Sequence, residues 1–208
     1  NFIPSNASNY NTVPLTVSVT VEKAASLVGT NPTASSITYG QTLASSILSG
    51  GVASVPGSFA FATPTTAPSA GTANQSVVFT PTDTANYNTS TISVSVTVDK
   101  APTSITTVPS ASGISYGSTL SSATLSGGVG SVPGSFAFTS PSTIPNAGTS
   151  NYSVTFTPTD TANYLSSTTS VSVSVGKSTP TISTVPTASG ITFGQTLASS
   201  SLSGGAAS

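Results

Sequence analysis

The sequence predicts an all-β protein built from tandem repeats, and three observations support this prediction. A period of 77 residues runs through the 208-residue chain without an insertion. Segments in which apolar residues alternate with Ser or Thr recur in the copies, and such alternation is typical of half-buried strands. Turn-forming Gly and Pro residues separate these segments at short spacing, as they do in β-sandwiches and barrels.

The period divides the chain into two complete copies and two partial ones. Residues 24–100 and 101–177 are complete repeats, identical at about two thirds of their positions. Residues 1–23 match the C-terminal part of a repeat, and residues 178–208 match the N-terminal part. A fixed period of this size is typical of repeat arrays, so we expect further copies on both sides.

The clearest predicted strand closes each repeat. In residues 92–98 four apolar side chains alternate with Ser and Thr, and residues 171–175 repeat this pattern. Successive side chains of a strand point to opposite faces of the sheet, so the apolar set should face a core. The same alternation in residues 14–21 predicts a strand in the first, partial copy as well.

Shorter apolar pairs predict the other strands. They are centred on Ile37 and Tyr39, Leu43 and Leu48, Phe59 and Phe61, and Val77 and Phe79, with weak strands around Ile105 and Ile182. Residues 42–49 fit either a strand or a helical turn, and no segment carries a long 3.6-residue apolar period. The predicted core of the first complete repeat, with its equivalents one period later, is Phe59, Phe61, Val77, Phe79, Ile92, Val94 and Val96.

Composition excludes several classes of function. Charged residues make up 3% of the chain, against about 25% in ordinary globular domains. Three Lys and no Arg cannot form the basic surface that nucleic acid requires, and no apolar run approaches the length of a membrane span. Without His or Cys there is neither a hydrolase triad nor a thiolate metal site. The sequence therefore predicts no enzyme, no cofactor, no catalytic site and no metal site.

The motif D-T-A-N-Y occurs in both complete repeats, and its residues suggest a chemical hypothesis. We interpret it as the loop between the last two strands, with its Tyr packed over the end of the module. A Lys–Asn isopeptide bond assisted by an acid would use Lys100, Asn86 and Asp83, or Lys177, Asn163 and Asp160. The alternative is a solvated Lys that discourages edge pairing, beside an Asp that forms the turn.

The repeats resemble bacterial Ig-like surface repeats of the YG-containing MBG type. The shared motifs are I-[ST]-[YF]-G, T-L-x-S-x-x-L-S-G-G, V-P-G-S-F-A-F, F-T-P-T-D-T-A-N-Y and V-S-V-[TS]-V-x-K. The resemblance implies Ig-like β-sandwich modules, an extracellular location at the cell surface, and neighbouring repeats as partners. The short Pro-containing junctions favour modules arranged end to end.

Together these features indicate a structural role. We expect the stalk or spacer of a surface adhesin, or the body of a surface filament. The alternative is an adhesive module that binds a glycan or a protein. A binding module should expose an aromatic or amide cluster that its core does not explain.

Overall fold

The computed structural model describes all 208 residues, which form two compact units, Asn1–Ala101 and Pro102–Ser208. Each unit contains one complete repeat with its own hydrophobic core. The chain is almost entirely strand and loop, and its helix is limited to three 3-10 turns, Leu43–Ser45, Leu120–Ser122 and Leu197–Ser199. No helix has the length and apolar character needed to cross a bilayer. The all-β prediction is confirmed.

Ten strands make up the first unit. They are β1 (Ala24–Ala25), β2 (Val28–Thr30), β3 (Thr33–Ala34), β4 (Ile37–Thr38), β5 (Leu48–Ser49), β6 (Val52–Ala53), β7 (Gly57–Phe61), β8 (Gly71–Pro81), β9 (Tyr87–Asn88) and β10 (Ser90–Asp99). Their main sheet has the order β4-β10-β8-β7, with β4 parallel to β10 and the other neighbours antiparallel. The short pairs β2–β6 and β3–β5 form the second layer. The result is an Ig-like β-sandwich.

The core of the first unit lies between these layers. Val94, Val96 and Val98 of β10 pack with Val77 and Phe61, and the intervening Ser and Thr face solvent. Phe79 is also fully buried, and its ring lies 5.0 Å from that of Phe59 between centroids. The predicted core is confirmed, although Phe59 and Ile92 are only half-buried. Full burial of a Phe side chain contributes about 1.5–3 kcal/mol, so the β7–β8 pair carries much of the packing.

The second unit repeats the same plan one period later. Its strands are β11 (Ile105–Thr107), β12 (Ser110–Ala111), β13 (Ile114–Ser115), β14 (Leu125–Ser126), β15 (Val129–Gly130), β16 (Gly134–Phe138), β17 (Gly148–Pro158), β18 (Ser167–Gly176), β19 (Ile182–Thr184), β20 (Thr187–Ala188), β21 (Leu202–Ser203) and β22 (Ala206–Ala207). The main sheet has the order β13-β18-β17-β16. The last four strands belong to the partial copy 178–208 and pair as β19–β22 and β20–β21.

The predicted strand at residues 14–21 is wrong for this structure. The segment has no strand, and its apolar side chains are exposed. In the complete repeat, the backbone of β10 is hydrogen-bonded to β8. The positions equivalent to β8 one period earlier would begin before residue 1. Only its end is present here, and it forms a single bridge between Phe2 and Val13. This bridge keeps the register of Phe79 and Ser90 one period later.

Two shorter predictions need adjustment. Residues 42–49 form the alternative, a helical turn that buries Leu43, followed by strand β5. The turn is closed by i→i+3 hydrogen bonds, such as the 3.0 Å bond from the Ser46 N–H to the Leu43 carbonyl. Strand β4 ends before Tyr39 because Gly40 has φ +92°, a conformation that favours glycine. The Y-G motif is therefore a turn.

Candidate functional site

The D-T-A-N-Y segment lies between the long strands β8 and β10, as the sequence predicts, and its Tyr87 begins the short strand β9. The Asp83 carboxylate accepts hydrogen bonds from the N–H groups of Ala85 and Asn86, at 3.2 and 3.1 Å. The Asn86 side-chain amide donates a third bond at 2.8 Å. Asp83 thus forms the loop by bonding its own neighbours, which is the turn-forming role expected from its type. Asp160 accepts the equivalent side-chain bond from Asn163, also at 2.8 Å.

Lys23 and the first residues of the first complete repeat are attached to this loop. The Lys23 ammonium donates to the Thr84 carbonyl at 2.8 Å, and the Ala24 N–H donates to the Asn86 carbonyl at 2.8 Å. Strand β1 pairs in parallel with β9, so Ala24 lies opposite Tyr87. Lys23 ends one copy in the sequence, yet its side chain bonds the loop of the following copy.

Hydrogen bonding controls the charge of the loop. The Asn86 side-chain amide, followed by the Asn86 backbone N–H, holds the pKa of Asp83 below its ordinary value. The Ala85 N–H and the Lys23 ammonium lower this pKa further by smaller amounts. Asp83 is fully exposed, so it is an ionised carboxylate at neutral pH with a cation beside it.

The structure separates the residues of the isopeptide hypothesis. Asp83 and Asn86 lie together in the loop before β10, whereas Lys100 follows the other end of that ten-residue strand. At about 3.3 Å per residue the strand spans roughly 30 Å. Strand β18 separates Lys177 from Asn163 and Asp160 in the same way. The geometry therefore gives no support to an isopeptide bond within a repeat, and an exposed Asp83 does not supply the buried acid that this chemistry needs.

No cluster of three or more His, Cys, Asp or Glu side chains occurs in the structure. Asp83 and Asp160 instead accept hydrogen bonds within their own loops.

A recess lies beside the loop, and its walls were not singled out in the sequence. Val55 and Pro56, from the turn before β7, face Thr82, Asp83 and Tyr87 across it. The Thr82 N–H donates to the Pro56 carbonyl at 2.9 Å and ties the two walls together. The V-P-G and D-T-A-N-Y motifs are well separated along the chain, so only their joint recurrence in each repeat could have indicated this contact.

The fold and the site define a class: an Ig-like tandem-repeat protein with a hydrogen-bonded loop and a recess in each complete repeat. No family model matches the chain, and no curated protein matches its sequence. Solved structures similar to it include a three-Ig structure of titin domains I67–I69 in an E-to-A mutated variant, at 10% identity and a TM-score of 0.36. The I-band fragment I67–I69 from titin is similar at 9% identity and a TM-score of 0.34. Each match covers 77% of this chain and 69% of the titin chain. These likenesses concern the fold alone, and the Ig-like assignment rests on the strand order of this chain.

Proposed function

We propose that this chain is an extracellular spacer, either the stalk of a bacterial surface adhesin or the body of a surface filament. The observation that carries the proposal is the parallel pairing of an early strand of each complete repeat with the end of its closing strand. Strand β4 pairs in parallel with the end of β10, and β13 pairs in the same way with β18. Strand β1, at the start of the first complete repeat, is likewise parallel to β9.

Parallel pairs near the two ends of a module suit a module that is pulled by those ends. When tension acts at the start of one strand and at the end of its parallel partner, the inter-strand bonds are loaded along the strand direction. The bonds of each two-residue pair must then break together. Antiparallel neighbours pulled at adjacent ends separate one bond at a time. A spacer that holds a binding tip away from a cell experiences the first kind of load.

Two further features support the spacer role. Each complete repeat has its own core, so length can grow by adding units that each bury their own apolar residues. The motifs resemble bacterial surface repeats of the MBG type, which supports the proposed location. Ser and Thr on the outer faces of the strands keep the surface polar without charge.

Single-molecule force spectroscopy tests the proposal. The chain held by its two ends should show two unfolding events, each lengthening it by roughly 25 nm, since a 77-residue repeat extends at about 3.5 Å per residue. A control variant held through cysteines introduced as Ser58→Cys and Thr80→Cys unzips the antiparallel β7–β8 pair, in which these two residues are partners. The proposal fails if the end-to-end unfolding force does not exceed the unzipping force.

A further inference from the structure

The recess beside the D-T-A-N-Y loop occurs in both complete repeats with identical lining. Its first copy is lined by Val55, Pro56, Thr82, Asp83 and Tyr87. Its second copy is lined by the same five residue types one period later, Val132, Pro133, Thr159, Asp160 and Tyr164. The loop of the partial copy 1–23 forms a related recess around Tyr10. A feature that recurs at the same place in separate copies belongs to the module itself.

The walls of the recess are fixed before any ligand arrives. The Thr82 and Thr159 N–H groups donate to the Pro56 and Pro133 carbonyls, each at 2.9 Å. Tyr87 is further held by its N–H, which donates to the Asp83 carbonyl at 3.2 Å. A preformed site loses little conformational entropy when it binds.

One aromatic side chain lines each recess, Tyr87 in the first complete repeat and Tyr164 in the second. Tyr87 is half-buried at the recess. A half-buried ring beside a preformed recess is the aromatic feature expected of a binding module.

The electrostatics of the recess favour a neutral ligand. In the first complete repeat the Asp83 carboxylate accepts three hydrogen bonds and has the Lys23 ammonium beside it, so little net charge is left to attract an ion. In the second, the Asp160 carboxylate accepts two hydrogen bonds from Asn163. The remaining groups are an aromatic ring, an apolar Val-Pro wall and the Thr82 hydroxyl. Amphipathic rings that combine an apolar surface with a polar group suit ligands that are apolar on one face and polar at the rim.

The backbone around the recess also disfavours an extended peptide. Peptide addition uses free backbone groups at a sheet edge. Here the carbonyls of Pro56, Asn86 and Asn88 accept bonds from the Thr82 N–H, the Ala24 N–H and the Ser26 hydroxyl. Recognition is therefore left to side chains, which suits a sugar ring better than a strand.

We propose that the recess of each complete repeat binds one neutral hexose unit of a polysaccharide. The sugar ring stacks on Tyr87 or Tyr164 and packs against the Val-Pro wall, while its hydroxyls bond the Thr and the rim groups. One such site is weak, but successive repeats on one chain engage one polymer together, which multiplies the apparent affinity. This activity goes beyond the spacer role and does not depend on it.

Affinity gel electrophoresis of the full chain tests the proposal. Native gels containing dextran, galactomannan, xylan or hydroxyethylcellulose serve as probes, and a gel containing poly-L-proline tests the peptide alternative. We expect at least one of the polysaccharides to retard the chain. The double variant T82R/T159R fills both recesses from exposed positions and should lose retardation by tenfold or more. The single variant T82R should be intermediate.

The matched control is S95R/S172R, which adds the same charges at exposed positions on β10 and β18. It should bind as the unmodified chain does. A second variant, Y87A/Y164A, removes the stacking surface, and thermal unfolding of each variant verifies that it is folded. The proposal is overturned if no polysaccharide retards the chain, if the control loses binding equally, or if only poly-L-proline retards it.

Discussion

Residues 14–21 and residues 91–98 carry the same alternation of apolar and hydroxyl residues one period apart, yet only the second segment is a strand. The apolar row of β10 is buried against β8 and the short-strand layer, whereas Val17 and Val19 are 71% and 80% exposed. Period-two patterning thus selects which face a strand buries, while a neighbouring strand decides whether it forms. A single strand has no hydrogen-bond partner for its backbone groups, and its alternating apolar residues have no surface against which to be buried.

The partial copy at the other end behaves differently. Residues 178–208 keep the pairs β19–β22 and β20–β21 and the 3-10 turn of a complete repeat. The Ser200 hydroxyl donates to the Ser189 carbonyl at 2.6 Å, as the Ser46 hydroxyl does to the Ser35 carbonyl two periods earlier. The short-strand layer is therefore built from local contacts, although its apolar face is exposed without the main sheet.

The largest expected effect on the free energy of unfolding comes from replacing one of two phenylalanines that occupy the same position in the repeat. Phe79 is 1% exposed and Phe2 is 63% exposed. Phe79→Ala should cost the first unit about 3–5 kcal/mol in free energy of unfolding, because it empties the core between the two layers. Phe2→Ala should change nothing measurable. Hydrogen exchange followed through denaturation reports each unit separately, and equal losses in the two variants would contradict the comparison.

A leucine pair tests the 3-10 turn in the same way. Leu43 is buried and Leu197 is exposed at the equivalent position of the partial copy. Leu43→Ala should lower the free energy of unfolding of the first unit by about 2–5 kcal/mol. Leu197→Ala should leave both units as they are. Urea denaturation monitored by tyrosine fluorescence distinguishes these outcomes, and a stable Leu43→Ala variant would show that the turn contributes little to the core.

A smaller loss in the free energy of unfolding is expected when a methyl group is added where β7 packs against β8. A Cβ at Gly57 would overlap the Thr80 carbonyl and the Phe79 ring. Gly57→Ala should therefore destabilise the first unit by about 1–3 kcal/mol through overpacking. Gly29 of β2 has room for a methyl group, with its nearest neighbour 3.7 Å away, and Gly29→Ala is the control. Differential scanning calorimetry should show a lowered midpoint only for Gly57→Ala.

The smallest effect concerns pH. Asn86 and Lys23 hold the pKa of Asp83 below its ordinary value in the folded state. The contribution of Asp83 to stability is therefore present above its unfolded pKa, about 3.9, and is lost as pH falls through the lower folded value. Thermal midpoints of the chain and of Asp83→Asn, measured between pH 6 and pH 2, should differ at the upper end and converge at the lower end. Parallel curves would contradict this role for Asp83.

Much of the fold could be predicted from the sequence because repeats expose their own pattern. The closing strand, the Phe-x-Phe strand and the core faces follow from period-two alternation, and the loop position of D-T-A-N-Y follows from its place between two such strands. The partner of Lys23 could not be predicted, because one period of sequence does not show that a residue ending one copy bonds the next. The recess was missed since its two walls come from motifs that meet only when β7 packs against β8.

The bond from Lys23 to the loop of the following copy also bears on how such a chain grows in evolution. Every copy ends in Lys, at positions 23, 100 and 177. After a recombination event that inserts or removes one whole period, each copy is therefore still preceded by a copy that ends in Lys. The clasp seen between Lys23 and Thr84 can be re-formed after such an event without a compensating mutation. A change of length by whole periods therefore keeps a Lys at the sequence position from which Lys23 makes this bond.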